Sequence, residues 1–290
     1  MIDGKDYLVK ENEKIDLSKV KTLVKPYYGS KKEYNRILKE QILEMSDLQE
    51  LHYASNKYSM LIIFQAMDAA GKDSTIRHVM SGINPQGCQV FSFKQPSMEE
   101  LDHDFLWRSY KCLPERGRIG IFNRSYYEEV LVVKVHPELL VKQDLPDEVL
   151  KDKNLWSNRY HSINEFEKYL HQNGTVVIKF FLNVSKEEQK NRFIDRIKHE
   201  NKNWKFSMSD VEERKHWDSY MKAYEMCLST TSKKHAPWYV IPADDKKNAR
   251  LIVSQIIVDT FKTLKMAYPK PSKEHEKELL DILDYLEKEK

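Results

Sequence analysis

Residues 64–75 read Phe-Gln-Ala-Met-Asp-Ala-Ala-Gly-Lys-Asp-Ser-Thr. This stretch follows the apolar run Met60-Leu61-Ile62-Ile63 and precedes a helical pattern. A buried strand, a loop ending in Gly-Lys and a helix are typical of a phosphate-binding loop. Backbone N–H groups of such a loop face a polyanion, and the lysine ammonium reaches the phosphate. The stretch therefore predicts phosphate binding by Ala70, Gly71, Lys72, Asp73 and Ser74.

Two positions of the loop depart from the strict pattern, which has Gly at position 66 and Ser or Thr at position 73. Ala66 has a small side chain, so the backbone can still approach a ligand closely if its φ is negative. Asp73 lacks the hydroxyl that usually helps to hold Mg²⁺. We therefore expect a different metal arrangement, with Asp68 as the substitute ligand.

The composition is that of an ordinary soluble protein. Its 290 residues, 40% hydrophobic and 32% charged, are enough for one large domain with a substantial core. The charged start Met1-Ile2-Asp3-Gly4-Lys5 has no leader pattern, and no apolar run approaches the roughly 20 residues of a membrane span. We therefore expect a cytoplasmic protein with no membrane partner.

Charge and cysteine usage narrow the function classes further. A net charge of +3 is too small to imply a polyanion partner by itself, so an anion site must come from local clusters of Lys and Arg. The basic residues are not interleaved with an aromatic array at a recognisable spacing, so we expect no nucleic-acid partner. Cys88, Cys112 and Cys227 form no CxxC pair and are read as buried thiols.

A second polar motif follows the buried strand Arg118-Ile119-Gly120-Ile121-Phe122, and it reads Asn123-Arg124-Ser125-Tyr126-Tyr127-Glu128. After a phosphate loop, this strand is expected to end in a carboxylate that organises the metal. Asn123 can accept a hydrogen bond from a metal-bound water but brings no negative charge. The alternative is that Asn123 only caps the following helix.

A basic helix opens at Ser185, with Glu188 three residues on in the pattern of a capping box. Arg192 and Arg196 share one face of it, stacked a turn apart. Such a run is either a solvated helix face or an anion site. We assign residues 186–226 to a lid region, with a lid segment at 201–209.

Strands that alternate with helices, each a continuous apolar run, favour an α/β fold. We predict a parallel sheet of about five strands covered by helices on both faces, with the active site beyond the strand C-termini. No repeat or low-complexity linker divides the chain, so residues 1–290 are predicted to form a single domain. Residues 1–35 form an N-terminal arm and residues 272–290 a C-terminal helix.

The chain resembles the polyphosphate kinase 2 family of P-loop kinases over roughly residues 30–265. The resemblance rests on four blocks: Ala66 to Asp73, Gly117 to Glu128, Val130 to Glu138, and Trp238 to Asp245. It implies a three-layer P-loop kinase fold similar to thymidylate kinase, with a helical lid. It also implies reversible phosphate transfer from inorganic polyphosphate to nucleoside mono- or diphosphates such as AMP, ADP, GMP and GDP. Mg²⁺, with Mn²⁺ as an alternative, and a homo-oligomer, either dimer or tetramer, are further implications.

The resemblance also carries roles onto matching residues. Asp68 resembles the loop carboxylate near Mg²⁺, Lys72 the phosphate-binding lysine, Arg124 the arginine after the second motif, and Arg192 and Arg196 the lid arginines. These five are the expected catalytic residues.

Two positions depart from the family pattern. Many members have Asp at position 123 and Arg at position 134, where this chain has Asn123 and Lys134. Asn123 together with Glu138 is similar to the subgroup, class III, that accepts both nucleoside mono- and diphosphates.

Phosphoryl transfer is catalysed mainly by positioning and charge stabilisation, so the cations above form the expected clamp on the phosphates. Polyphosphate needs a longer channel of cations, for which Arg77, Lys94 and Lys198 are candidates. Tyr126, Tyr127 and Trp204 are candidates for stacking on a nucleotide base, with core packing or a lid hinge as the alternative.

Two other functions stay open at this point. One is a conventional P-loop kinase that uses ATP on a nucleotide or small molecule. The other is a catalytically weak nucleotide-binding regulator, which Ala66 and Asn123 favour and the retained Lys72 and arginines oppose.

Overall fold

The computed structural model describes residues 2–203 and 207–289, apart from the side chains of residues 201 and 202. Its centre is a six-stranded sheet in the order β1-β6-β5-β2-β4-β3. The strands are β1 Leu8–Val9, β2 Ser59–Gln65, β3 Cys88–Ser92, β4 Ile119–Asn123, β5 Thr175–Asn183 and β6 Trp238–Pro242. Strands β2 to β6 are parallel, and β1 pairs antiparallel with β6.

The central strands are mostly hydrophobic because both of their faces are covered. All seven residues of β2 are buried, as expected for a parallel strand in the middle of a covered sheet. The predicted α/β fold and the five parallel strands are confirmed. Strand β1 was not predicted, since two residues are too few to show a periodicity.

Two groups of helices flank the sheet. Helices α1, α2 and α12 pack together, and α11 packs with α5 and α7. The helices are α1 Lys31–Ser55, α2 Lys72–Val79, α3 Met98–Leu101, α4 Trp107–Tyr110, α5 Val132–Val135, α6 Asp147–Leu150, α7 Leu155–Gln172, α8 Lys186–Lys198, α9 Glu200–Asn203, α10 Met208–Lys215, α11 Trp217–Thr231, α12 Lys246–Lys262 and α13 Lys273–Lys288.

The segments 98–112 and 147–172 each contain two helices instead of one continuous helix, α3 with α4 and α6 with α7. In each segment, an aspartate side chain binds the backbone between the two helices. Asp104 accepts from the N–H of Leu106 over 2.9 Å, and Asp152 accepts from the N–H of Asn154 over 2.8 Å. Such local bonds compete with helical hydrogen bonds and restart the helix.

The N-terminal arm packs on the chain's own last strand. Besides the pairing of β1 with β6, Thr22 donates to the Asp244 carboxylate and Tyr28 donates to the Asp245 carboxylate, both over 2.7 Å. The arm therefore braces the loop that follows β6. At the other end of the chain, α13 has no buried residue. Across the described ranges, no helix combines the length and apolarity that crossing a bilayer requires.

Candidate active site

The loop between β2 and α2 has the backbone of an anion cradle. Gly71, which caps α2, has φ +108°, and Ala69 has φ +61°. A positive φ is strained for a residue with a Cβ, and such strain is concentrated at functional sites. Ala66 is not among the positive-φ residues, so alanine at this position costs the loop no backbone strain. The backbone at Ala66 can therefore approach a ligand closely, as expected for a negative φ.

Lys72 lies buried beneath the loop at the start of α2. Its Nζ donates to the Ala66 carbonyl over 2.8 Å, and this is its one hydrogen bond to the described residues. An ammonium has further N–H donors, so Lys72 can hold the loop and a phosphate oxygen together. Burial lowers the pKa of Lys72, and the nearby Asp68 carboxylate opposes that shift.

Arg124 projects from the turn after β4 towards the loop. Its backbone N–H donates to the Phe64 carbonyl over 3.0 Å, and its φ is +64°, a second strained residue at the site. Its Nη2 lies 3.2 Å from Asp68 Oδ1. Burial alone would lower the pKa of Arg124, but the carboxylates of Glu128 and Asp68 outweigh it and raise that pKa.

Glu128 is a site residue that sequence reasoning missed. It lines the cavity beside Asp68 and Arg124, and burial raises its pKa while Arg124 and Lys72 oppose the shift. The sequence feature that could have identified Glu128 is its position at the end of the polar motif that begins at Asn123.

Arg192 corrects an expectation. It is only 5% exposed, and its guanidinium is saturated by protein acceptors. Nε donates to Glu188 over 2.7 Å, Nη1 to the carbonyls of Ala69 and Ala70 over 3.1 and 2.7 Å, and Nη2 to those of Ala243 and Asp244 over 2.6 and 3.1 Å. In this arrangement Arg192 cannot clamp a phosphate. It is a positioning residue that ties the loop to α8 and to the end of β6.

Helix α8 supports the loop at a second point that the sequence did not reveal. Gln189 donates to the Asp68 carbonyl over 3.0 Å and accepts from Arg214 of α10 over 2.7 Å. Ser185 caps α8 by accepting from the Glu188 N–H over 3.1 Å, as predicted. The reciprocal half of the capping box is replaced, because Glu188 binds Arg192 and the Ser185 N–H donates to Asp244.

The other predicted cations lie at the surface. Arg77, Lys94 and Lys198 are exposed and Arg196 is half-buried. None of these four side chains forms an ion pair or hydrogen bond with the described residues. Their roles as catalytic or channel cations stay predictions.

The remaining loop residues differ in what they offer a phosphate. The Ser74 hydroxyl accepts from Arg250 of α12 over 2.8 Å, which leaves its own proton available. Asp73 carries a negative side chain, and its Oδ1 accepts from Asn123 Nδ2 over 2.7 Å. Asp73 can therefore offer a phosphate only its backbone N–H, and its predicted part in phosphate binding stays a prediction.

Tyr126 and Tyr127 are also corrected. The two rings are 2% and 0% exposed, and both hydroxyls donate to Glu167 over 2.8 Å. Lys179, fully buried, is paired with the same carboxylate at 2.5 Å. This polar network anchors the motif after β4 to the core. The two tyrosine rings are therefore too deeply buried to stack on a nucleotide base. Trp204 lies outside the described residues.

Two cavities open beside Arg124 and Glu128. One, about 340 Å³, is lined by the acidic residues Asp68, Glu128, Glu138 and Glu213 together with His136. His136 Nε2 lies 2.8 Å from Glu213 Oε1 and links this wall to α10. The predicted site residue Glu138 therefore lies in the same cavity as the loop carboxylate, although its role stays a prediction.

The second cavity, about 300 Å³, combines apolar residues with cations and with the carboxylates of Glu128 and Glu129. Its apolar residues include Phe93, Phe105 and Leu139, and its cations are Lys94, Arg108, Arg124 and Lys142. Arg108 lies over the Phe93 ring at 5.0 Å from the centroid. Apolar walls with a few convergent polar groups are typical of a small-molecule site.

The donor set fits Mg²⁺ held together with a substrate. The described residues contain no preformed group of three His, Cys, Asp or Glu side chains that could hold a metal ion. Mg²⁺ usually keeps waters and binds through one or two carboxylates plus substrate phosphates. Asp68 and Asp73 each have one carboxylate oxygen in a hydrogen bond or ion pair and a second oxygen that can accept such an ion.

Known proteins match this chain closely. The family model for polyphosphate kinase 2 matches residues 28–269. An ADP-polyphosphate phosphotransferase of Rhodopseudomonas palustris is 58% identical over 98% of this chain and 99% of its own length. An AMP/ADP-polyphosphate phosphotransferase of Meiothermus ruber is 45% identical over 82% of this chain and 84% of its own length.

A solved structure agrees with the sequence matches. Polyphosphate kinase 2 from Arthrobacter aurescens superposes with a TM-score of 0.83 at 36% identity, covering 94% of this chain and 97% of its own. The loop with its buried lysine, the arginine that faces Asp68 and the parallel sheet are thus found in a chain that belongs to the polyphosphate kinase 2 family.

Proposed function

We propose that this protein is a kinase that transfers phosphate from inorganic polyphosphate to nucleoside mono- or diphosphates, reversibly. The observation that carries the proposal is a phosphate loop with the buried Lys72 at its base and with its carboxylate Asp68 paired to Arg124 at 3.2 Å, beside two cavities. The names of the Rhodopseudomonas palustris and Meiothermus ruber relatives support the same reaction.

The residues of this chain supply positioning and charge rather than a covalent nucleophile. Lys72 and the backbone N–H groups of 71–74 hold phosphate oxygens, and Arg124 neutralises the charge that develops on the transferred group. The acceptor is itself a phosphate, already deprotonated at neutral pH, so the reaction needs no general base. Arg192 and Gln189 keep the loop carbonyls turned away from the anion.

The cavity of about 300 Å³ suits the acceptor nucleotide. Phe93, Phe105 and Leu139 offer apolar surface for a base, and Arg108, Lys142 and Arg124 lie where its phosphates would point. The donor polyphosphate would approach from the exposed cations Arg77 and Lys198 and the half-buried Arg196.

Mg²⁺, or Mn²⁺ in its place, would lie against Asp68 and the substrate phosphates. When bound, such an ion neutralises charge on the phosphate oxygens. Asp68 suits this part because it belongs to the loop and is fixed by Arg124 at 3.2 Å.

The proposal is tested by mixing the protein with polyphosphate, Mg²⁺ and one of AMP, ADP, GMP or GDP in the absence of ATP. We expect nucleoside di- or triphosphate, separated by ion-exchange chromatography. A lack of product with every acceptor, while ATP supports phosphorylation, would instead identify a conventional kinase.

Two further properties stay predictions. We expect the protein to act in the cytoplasm and to form a dimer or tetramer. The second is supported by the exposed apolar residues of α13, which are Leu279, Leu280, Ile282, Leu283 and Leu286. Light scattering of the full chain measures the oligomeric state directly.

A further inference from the structure

The two positions at which the chain departs most from the usual metal-binding pattern contact each other. Asp73 lies in the first turn of α2, and Asn123 is the last residue of β4. Asn123 Nδ2 donates to Asp73 Oδ1 over 2.7 Å, although 50 positions separate the residues. The two departures therefore form one pair.

The pair has a simple relation to ordinary phosphate-loop enzymes. In those enzymes the cation is held by a hydroxyl at the position of Asp73 and by a carboxylate at the end of a neighbouring strand. Here the first position has the carboxylate and the second has a neutral amide. The site therefore keeps one negative charge, but Asp73 carries it instead of residue 123, to which Asp73 is hydrogen-bonded.

The geometry leaves Asp73 free to act on a cation. Asn123 occupies only Oδ1, and the Asp73 side chain is exposed rather than sealed in the core. Oxygen ligands of this kind are what Mg²⁺ and Mn²⁺ prefer.

We propose that Asp73 holds the divalent cation of the bound nucleotide, in place of a carboxylate at position 123, and that Asn123 orients it. This inference rests on the proposed phosphotransferase function. It also changes how Asn123 is understood, because the amide does not weaken the metal site but presents the carboxylate of its partner.

A purely structural role is the competing explanation. An aspartate in the first turn of a helix is stabilising with or without a metal, because it faces the positive end of the helix dipole. Activity alone cannot separate the two explanations, so the test measures cation binding and folding stability separately.

The test is a Mn²⁺ titration of the full-length protein with ADP, followed by electron paramagnetic resonance. The variants are Asp73→Asn, the exchanged pair Asp73→Asn with Asn123→Asp, and the control Asp47→Asn, which changes an exposed carboxylate on α1. We expect Asp73→Asn to weaken Mn²⁺ binding at least 10-fold, because the loss of an outer-shell partner alone costs about 10- to 100-fold. The exchanged pair should regain most of that affinity, and the control should match the wild type.

Thermal unfolding without metal is measured on the same samples. For Asp73→Asn, we expect the loss of Mn²⁺-binding free energy to exceed any loss in the free energy of unfolding. A Mn²⁺ affinity of Asp73→Asn within about twofold of wild type, which is less than half a kcal/mol, overturns the proposal. A loss that the exchanged pair fails to recover overturns it as well. Wild-type turnover with polyphosphate, measured in parallel, tests the function itself, so the two failures are distinguishable.

Discussion

Arg192 donates from Nη1 to the carbonyl of Ala70 over 2.7 Å, and this bond joins the basic helix to the phosphate loop. Arg192→Lys should lower the free energy of unfolding by about 1–3 kcal/mol, since buried carbonyls lose their partners. Chemical denaturation measures this loss. Arg196→Lys, one turn along the same helix, should leave stability unchanged and alter only the polyphosphate KM. Equal effects of the two changes on stability would contradict the positioning role of Arg192.

Lys72→Ala should reduce kcat about 10²- to 10³-fold, by comparison with other losses of one electrostatic contact in a transition state. The reason is that Lys72 is the buried cation of the loop. Initial rates with polyphosphate and ADP measure the effect, and Lys39→Ala, on the exposed side of α1, is the control. Intact turnover in Lys72→Ala would remove the loop from the mechanism.

Phe105→Ala should raise the KM for the acceptor nucleotide about tenfold while changing kcat less. The ring lines the apolar cavity, and burying such a side chain against a ligand contributes about 1.5–3 kcal/mol. Tyr110→Ala, an exposed aromatic of α4 outside the cavity, is the matched control. A larger effect on the polyphosphate KM than on the nucleotide KM would place the donor, not the acceptor, in this cavity.

The KM for long-chain polyphosphate should rise steeply with ionic strength, because a polyanion releases counterions when it binds a row of cations. Arg77→Gln and Lys198→Gln should each reduce the slope of log KM against log salt. Steady-state rates at several salt concentrations give that slope. A flat response between low and moderate salt would reject an extended channel.

The contact of the arm with the β6 loop should weaken at alkaline pH. Burial, together with the Asp245 carboxylate, raises the pKa of Tyr28 from 10.0 to about 12. The contact of the neutral Tyr28 hydroxyl with Asp245 therefore contributes its full stability below pH 10. That contribution is lost as the pH rises through about 12 and the phenol ionises. Limited proteolysis of the arm across this range should show release in the wild type. Tyr28→Phe should show a weaker dependence on pH.

Much of the fold could be predicted from the sequence because its signals are local. The strand β2 contains a continuous apolar run and β5 is strongly apolar, and the Gly71-Lys72 pair marks the loop between strand and helix. The capping residue Ser185 was identified for the same reason. The division of the segments 98–112 and 147–172 into two helices each could not be predicted. In sequence, an aspartate that ends a helix resembles one that lies on the helix's polar face.

The site was harder to predict, because spacing gives the face of a helix but not what that face meets. Arg192 and Arg196 look alike in sequence, yet one is buried against loop carbonyls and the other is half-buried without such contacts. The sequence could not decide whether Tyr126 and Tyr127 stack on a base or pack in the core, because their partner Glu167 lies about 40 positions away. The contact between Asp73 and Asn123 arises only when β2 and β4 lie side by side.

The hydrogen bonds between the N-terminal arm and the loop after β6 have a consequence for the synthesis of the protein. Thr22 and Asp244 are 222 positions apart, and Asp244 also accepts from Arg192, which holds the carbonyls of the phosphate loop. Contacts of such long range form late in folding, and a chain emerges from the ribosome from its N-terminus onwards. The phosphate loop is synthesised early but receives its full support only after residue 244 has emerged. A nascent chain that stalls before this point would therefore contain the complete loop sequence without the braces that hold it in shape.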